Sequence, residues 1–199
     1  MLKRNSIILG LALLVTTLSM SVALAGHYEI QTGGKSEIIF KSKAPMEKFD
    51  GKTKQLSGSF DADLSNLSGP VFLVVEIDLA SFDTGMKKRN KHMRENHLET
   101  EKYPKAWFRA GSIKQSSKSS LSQGETATIV LAGTLDLHGV KKDHDVTLEI
   151  FRGNDDSLTI TGQFPVLLSE HAIDRPKFLV MKLADEQLVF LNLLARLGS

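Results

Sequence analysis

The chain contains no cysteine. That excludes disulfides, thiolate nucleophiles, thiolate metal sites and a cysteine-linked lipid anchor together. It also lacks an excess of charge of either sign once its first residues are set aside. Without residues 1–25 the chain loses Lys3 and Arg4, leaving 23 basic against 23 acidic residues, so the sequence pI of about 8.7 overstates its basicity. No basic face of the kind that holds nucleic acid is implied. No G-x-S-x-G elbow surrounds any of the serines. The glycines, Gly33-Gly34 included, lack the strand-to-helix setting of a phosphate loop. Enzyme chemistry therefore has little to stand on.

Long apolar runs are missing as well, except at the start. Lys3 and Arg4 precede an apolar stretch from Ile7 to Val22, which ends in Ala23-Leu24-Ala25. This is the pattern of a secretory signal peptide cleaved after Ala25, and it implies export to the periplasm. An uncleaved anchor is the competing reading, since the run falls a little short of a full span. Removing 25 of 199 residues leaves 174, enough for one domain with a core that needs no disulfide.

What is present is alternation. Val71, Leu73, Val75, Ile77 and Leu79 fall on one face of a strand, with Glu76 and Asp78 opposite. Leu56, Gly58, Phe60, Ala62 and Leu64 repeat the pattern, as do Leu158, Ile160, Gly162, Phe164, Val166 and Leu168. Eight strands are predicted near 36–42, 54–64, 71–80, 105–114, 126–137, 140–151, 157–168 and 187–197, separated by Asn66–Pro70, Ser116–Gly124 and Gly153–Asp156. Long antiparallel strands with almost no helix favour closure, because closure removes exposed edges. The expected fold is all-β: an eight-stranded antiparallel barrel with an apolar interior, wide enough for its own side chains or one slender ligand. Its inward residues are expected to be Phe40, Phe60, Phe108, Ile129, Leu131, Val146, Leu148, Ile160, Phe164 and Phe190.

Residues 84–102 break the pattern. From Met86 to Leu98 there is no β-branched residue, and Thr84 is placed to cap a helix. Met86, Asn90, Met93 and His97 share one helical face; His92 and His97, five apart, do not. Arg89 and His92 lie on adjacent turns and can converge. They either pair with Asp83, Glu101 or Asp174 to pin the insertion, or cap a cavity and meet a ligand's polar head, arginine being suited to phosphate or carbonyl oxygen. His138 and His144 flank a tight connection, but Lys141 and Lys142 in the same turn would repel a metal ion, so neither metal nor cofactor is expected. Gly139 supplies a backbone conformation that a side chain would oppose.

Two segments carry a resemblance. Ala80-Ser81-Phe82-Asp83-Thr84-Gly85, followed by Arg89, His92 and Lys102-Tyr103-Pro104-Lys105-Ala106-Trp107-Phe108, and then Leu135-Asp136-Leu137-His138-Gly139-Val140-Lys141-Lys142, resemble the YceI-like family of bacterial proteins. The resemblance implies a lipocalin-like barrel over residues 26–199 that binds an isoprenoid lipid without catalysis. A quinone or a polyprenyl phosphate would put its tail among the ten inward residues and its head group near Arg89, His92 and Arg175. Arg175 matches the family's late R-x-x-F segment, here Arg175-Pro176-Lys177-Phe178. The chain departs from the pattern at His27-Tyr28-Glu29-Ile30, where the family often has W-x-I-D. It also has Ser42-Lys43-Ala44-Pro45 in place of an early histidine, and Leu179 in place of a glycine. These departures bear on the ligand more than on the fold. Burying ~20 methylenes at about 0.8 kcal/mol each gives roughly 16 kcal/mol, against about 4–15 kcal/mol of lost freedom, so only a long tail would be held. The alternative is a self-filled barrel that uses its lysine-rich insertion to contact an envelope protein.

Overall fold

A computed structural model describes residues 25–44, 47–178 and 181–198. All of the expected signal peptide but Ala25 lies outside these residues, as does Leu179. In chain order the elements are β1 (Gly26–Ile30), β2 (Glu37–Ala44), β3 (Glu47–Thr53), β4 (Leu56–Ala62), β5 (Pro70–Asp78), α1 (Lys87–Asn96), β6 (Lys105–Ser116), β7 (Thr126–Leu137), β8 (Val140–Arg152), β9 (Leu158–Leu167), β10 (Lys177–Phe178), β11 (Met181–Lys182) and β12 (Glu186–Leu197).

The strands close into the expected antiparallel barrel. The ladder runs β1-β4-β5-β6-β7-β8-β9-β12, and β12 returns to β1 through Tyr28↔Leu197 and Ile30↔Ala195. β2 continues β1 along the same partner, with Asn192↔Glu37 and Leu188↔Lys41. The two are one barrel strand interrupted at 31–36, where Gly33 and Gly34 hold φ of 71° and 55°. β3 continues β4 in the same way across Lys54-Gln55. The predicted strands for β5 to β9 and β12 match within a few residues. β1 and β3 are additions: Glu47-Lys-Phe-Asp-Gly-Lys-Thr53 shows no apolar alternation, and its pairing to β2 alone makes it a strand.

Inward residues fill only one half of the bore. At the end formed by β1, β4, the start of β7 and the end of β8, Tyr28 stacks on Phe60 at 5.0 Å between centroids. Ile129, Leu131, Val146, Leu148, Leu158 and Ile160 are buried around them. Two loops seal this end, joined by Leu67 N–H to Ser119 O (2.8 Å) and Leu121 N–H to Leu64 O (2.8 Å), and together they tuck Leu64, Leu67 and Leu121 inside. The serine-rich loop is thus a cap for the core. The other half of the barrel is hollow and lies under α1.

β7 and β8 meet in a two-residue turn, His138-Gly139, with φ of 55° and 74°. That pair of left-handed residues is the turn whose twist matches a hairpin. On the far side of β8 the ladder with β9 stops at Leu148↔Gly162. A 3-10 turn at Leu168–His171 fills the seam above it. His171 Nδ1 meets Val140 O at 3.1 Å, and His138 Nδ1 meets His171 O at 3.1 Å. His138 Nε2 meets Glu99 Oε2 at 2.8 Å, so one buried histidine ties the hairpin turn, the seam and the loop after α1 together.

Candidate functional site

The hollow half encloses a cavity of about 1120 Å³. Its wall alternates as the strands do: Ile38 and Phe40 from β2, Ile77 from β5, Ala106 from β6, Leu135 and Leu137 from β7, Phe164 and Val166 from β9, and Val189 from β12. Phe82, Met93 and Leu98 close it from the α1 side. Gln187 is the polar side chain that reaches the strand wall. The cavity opens beside α1, where Lys88, Arg89, Lys91, His92 and Glu95 form the rim. Deep apolar walls under a polar, mostly cationic rim suit a molecule with a long hydrocarbon part and a polar end.

α1 is held over the bore by Asn90, which is 8 % exposed. Its Oδ1 accepts from Thr84 N–H (2.8 Å) and Thr84 Oγ1–H (2.6 Å), while its Nδ2 donates to Asp83 Oδ1 (2.7 Å). Thr84 is therefore no helix cap. The helix begins at Lys87 without a side-chain cap, since Met86 stands at the N-cap and has no oxygen to accept from the first turn. Asp83 also exchanges backbone hydrogen bonds with Lys52, at 3.0 and 2.9 Å, fixing the lid to β3. The Asp83 carboxyl sits below its usual range, first because Asn90 donates to it and next because Gly85 N–H does. Sequence reasoning put Asn90 on the inner face but gave it no role. An amide among methionines, seven residues after an aspartate, was the available signal.

The three residues expected at a head group are placed differently from one another. Arg89 lies on the rim; its Nε donates to Thr84 Oγ1 (2.9 Å), its Nη2 to Thr84 O (2.8 Å), and its guanidinium lies 4.1 Å from the Phe49 ring centroid. His92 also lies on the rim. It contacts His97, contrary to the helical-wheel expectation: Nδ1 and Nε2 are 3.3 Å apart and the rings 4.9 Å. The reason is that His97 has left the helix, with φ −124° and ψ −54°. His97 Nδ1–H donates to Asp174 O at 2.7 Å, which leaves its Nε2 to accept from His92. Burial pushes the His97 imidazole below its ordinary value of 6.5, against the Asp174 carbonyl that raises it. Arg175 does not border the cavity. Its Nε donates to Leu183 O at 2.9 Å, and its neighbours Ile173 and Pro176 line the wall instead.

The ten residues expected around a tail divide four ways. Phe40 and Phe164 line the cavity. Phe60, Ile129, Leu131, Val146, Leu148 and Ile160 are buried in the filled half. Phe108 stands between the two groups. It packs against the core and follows cavity-lining Ala106 by two residues, and its ring lies so close over Gly133 that a Cβ there would meet it at 2.4 Å. Phe190 is a correction, because it faces out, with Lys41 Nζ 4.8 Å from its ring centroid. Leu188-Val189-Phe190-Leu191 is apolar on both faces, so parity along this strand was undetermined by pattern. The register with β9 puts Gln187 and Val189 inside.

His144 was considered only as a metal ligand. Its ring packs edge-on against Phe164 at 5.1 Å, and its Nε2 is buried without a partner among the described residues. Burial lowers its pKa below 6.5, helped by the neighbouring His171 and opposed by Glu170 and Asp145. Among the described residues, no three histidine or carboxylate side chains gather as a metal site would need.

Comparison with known proteins agrees with the architecture. The model of the YceI-like domain matches residues 28–193. The protein plu2095 of Photorhabdus laumondii is 34% identical over 145 residues, covering 71% of this chain and 69% of its own. Protein YceI of Escherichia coli is 32% identical over 145 residues, covering 71% and 70%. Among solved structures, a polyisoprenoid binding domain from Saccharophagus degradans superposes with a TM-score of 0.66 at 20% identity, over 86% of this chain and 98% of that one. BcnA of Burkholderia cenocepacia gives 0.67 at 22%, over 81% and 97%. With the barrel, its lid and a family match across nearly the whole described chain, this protein belongs to the YceI-like family.

Proposed function

We propose that this protein binds and carries an amphiphilic isoprenoid lipid, of quinone or polyprenyl phosphate type, without catalysis and in the bacterial periplasm. The hollow half of the barrel carries this reading. At about 1120 Å³ the cavity exceeds the ~300–1,000 Å³ typical of small-ligand sites, and its strand wall is apolar but for Gln187 of β12. A tail of ~20 methylenes held there gains roughly 16 kcal/mol, which outweighs the about 4–15 kcal/mol lost on association. A phosphate or carbonyl head group would lie at the rim near Arg89 and His92, with Lys88 and Lys91 beside them. Membership of the YceI-like family and the likeness to a domain described as polyisoprenoid-binding support the same class of ligand. The leader-like N-terminus supports the periplasm.

The test is organic extraction of the protein recovered from its native envelope, followed by mass spectrometry. A stoichiometric isoprenoid is expected. Phe164→Asp, which puts a carboxylate in the tail's path, should lower retention at least about tenfold while far-UV circular dichroism stays unchanged. A clean extract, repeated after incubation with quinones and polyprenyl phosphates, would overturn the reading and return attention to a protein partner.

A further inference from the structure

The outer face of α1 is unlike the rest of the surface. The helix carries Lys87, Lys88, Arg89, Lys91 and Arg94 against Glu95 alone, a net charge of +4, in a chain whose residues 26–199 balance 23 basic against 23 acidic side chains. Arg89 turns back to Thr84 and Phe49, but Lys87, Lys88 and Lys91 are exposed. Among the described residues, the carboxylate near any of these three is that of Glu95, 3.9 Å from Lys91. Met86, just before the helix and at the cavity mouth, is 53% exposed. The β2–β3 hairpin beside the mouth adds exposed Lys43 and Lys48, with Asp50 as an exposed acidic neighbour.

Lys88, Lys91 and Met86 also line the mouth of the apolar cavity, with Lys87 next to them on the helix. Cationic side chains with an exposed methionine next to them, beside the place where hydrocarbon would enter or leave, match a surface that is anionic outside and apolar below. We propose that α1 docks the barrel mouth-down on an anionic phospholipid bilayer, with Lys87, Lys88 and Lys91 at the phosphates and Met86 in the head-group layer. Docked so, the cavity would face the acyl region and an isoprenoid could pass between bilayer and barrel without crossing water. An acidic protein would satisfy the lysines, but it would leave Met86 and the coincidence with the cavity mouth without a purpose. The purpose of docking rests on the lipid-binding reading; the geometry of docking does not.

The experiment is co-sedimentation of the protein with vesicles of phosphatidylcholine, with and without a one-third share of phosphatidylglycerol. Binding should require phosphatidylglycerol and weaken as salt is raised. The variant Lys87→Gln/Lys88→Gln/Lys91→Gln keeps residues that tolerate a helix. It should lower partitioning about a hundredfold, at about fivefold for each basic residue near an anionic surface. The equally neutralised control Lys35→Gln/Arg109→Gln/Arg196→Gln, away from the lid, should lower it far less. All three proteins share the rest of the chain, so any contribution of the N-terminus cancels. Equal binding to both vesicle types, or equal loss in lid and control variants, would overturn docking and leave the lysines to a protein partner. Extraction of the same samples separates the two ideas: an empty cavity with intact vesicle binding sinks the lipid cargo alone.

Discussion

Asn90 and Phe108 show what single side chains decide here. The Asn90 amide satisfies the buried Thr84 N–H and hydroxyl and reaches Asp83. Asn90→Ala should therefore strand those groups and lower stability by about 1–3 kcal/mol, read from the urea midpoint. Faster hydrogen exchange should be confined to 83–98 if the lid loosens before the barrel does. A uniform increase across all strands would show that the knot holds the whole fold. Phe108 stands where the hollow half ends, over Gly133. Phe108→Ala should lower stability by less than the about 3–5 kcal/mol of a fully buried phenylalanine, because the residue is only half-buried. It should also let the retained lipid lengthen. An unchanged chain-length distribution by mass spectrometry would remove Phe108 from the floor. Phe108, Phe164 and Phe40 were legible as inward residues from alternation. Asn90 was not given its role, because hydrogen-bond partners six and seven residues away meet only once the lid has folded.

The β7–β8 hairpin is an element written almost wholly in local sequence. Leu135 to Lys142 carries the turn in two residues, and Gly139 holds φ of 74°. A Cβ there would also meet the Tyr103 ring at 2.7 Å. Gly139→Ala combines left-handed strain of about 1–2 kcal/mol with that contact. It should lower the denaturation midpoint without changing the slope; no shift would mean that turn and ring both yield. α1 is the contrasting element. Its existence followed from the absence of β-branched residues, but its start, its missing cap and the meeting of His92 with His97 did not. Those depend on Met86, which has no capping oxygen, standing at the N-cap and on the Asp174 carbonyl holding His97 beyond the helix end.

For the whole molecule, acid should be destabilising well above the carboxylate range. His97 and His144 both have pKa values pushed below 6.5, chiefly by burial. The unfolded chain therefore binds more protons than the folded one just below that value, so stability is complete above about pH 6.5 and falls as pH drops through the two depressed values. The groups around them are named by the structure: His92 and Asp174 near His97, and His171, Glu170 and Asp145 near His144. His144→Gln should reduce the loss between about pH 7 and pH 5, measured by thermal unfolding at each pH. An unaltered pH profile would show that burial of His144 is not felt by the fold. The depressed carboxylates Asp83 and Asp185 act in the same direction, but only near and below their usual range of 3.8.

By itself the sequence determined the alternation of faces, the closed all-β barrel, the tight β7–β8 turn and the presence of a helical insertion, because each follows from neighbours within a few residues. Only the tertiary structure decided which inward residues meet each other and which meet empty space. Tyr28 and Phe60 fill one half because β1 and β4 are paired, whereas Phe40 and Phe164 border a cavity because the lid holds α1 across that end. Parity at Phe190 was settled by register with β9, since a strand apolar on both faces carries no preference of its own. Filling is a property of distances across the bore, and no spacing along the chain encodes it.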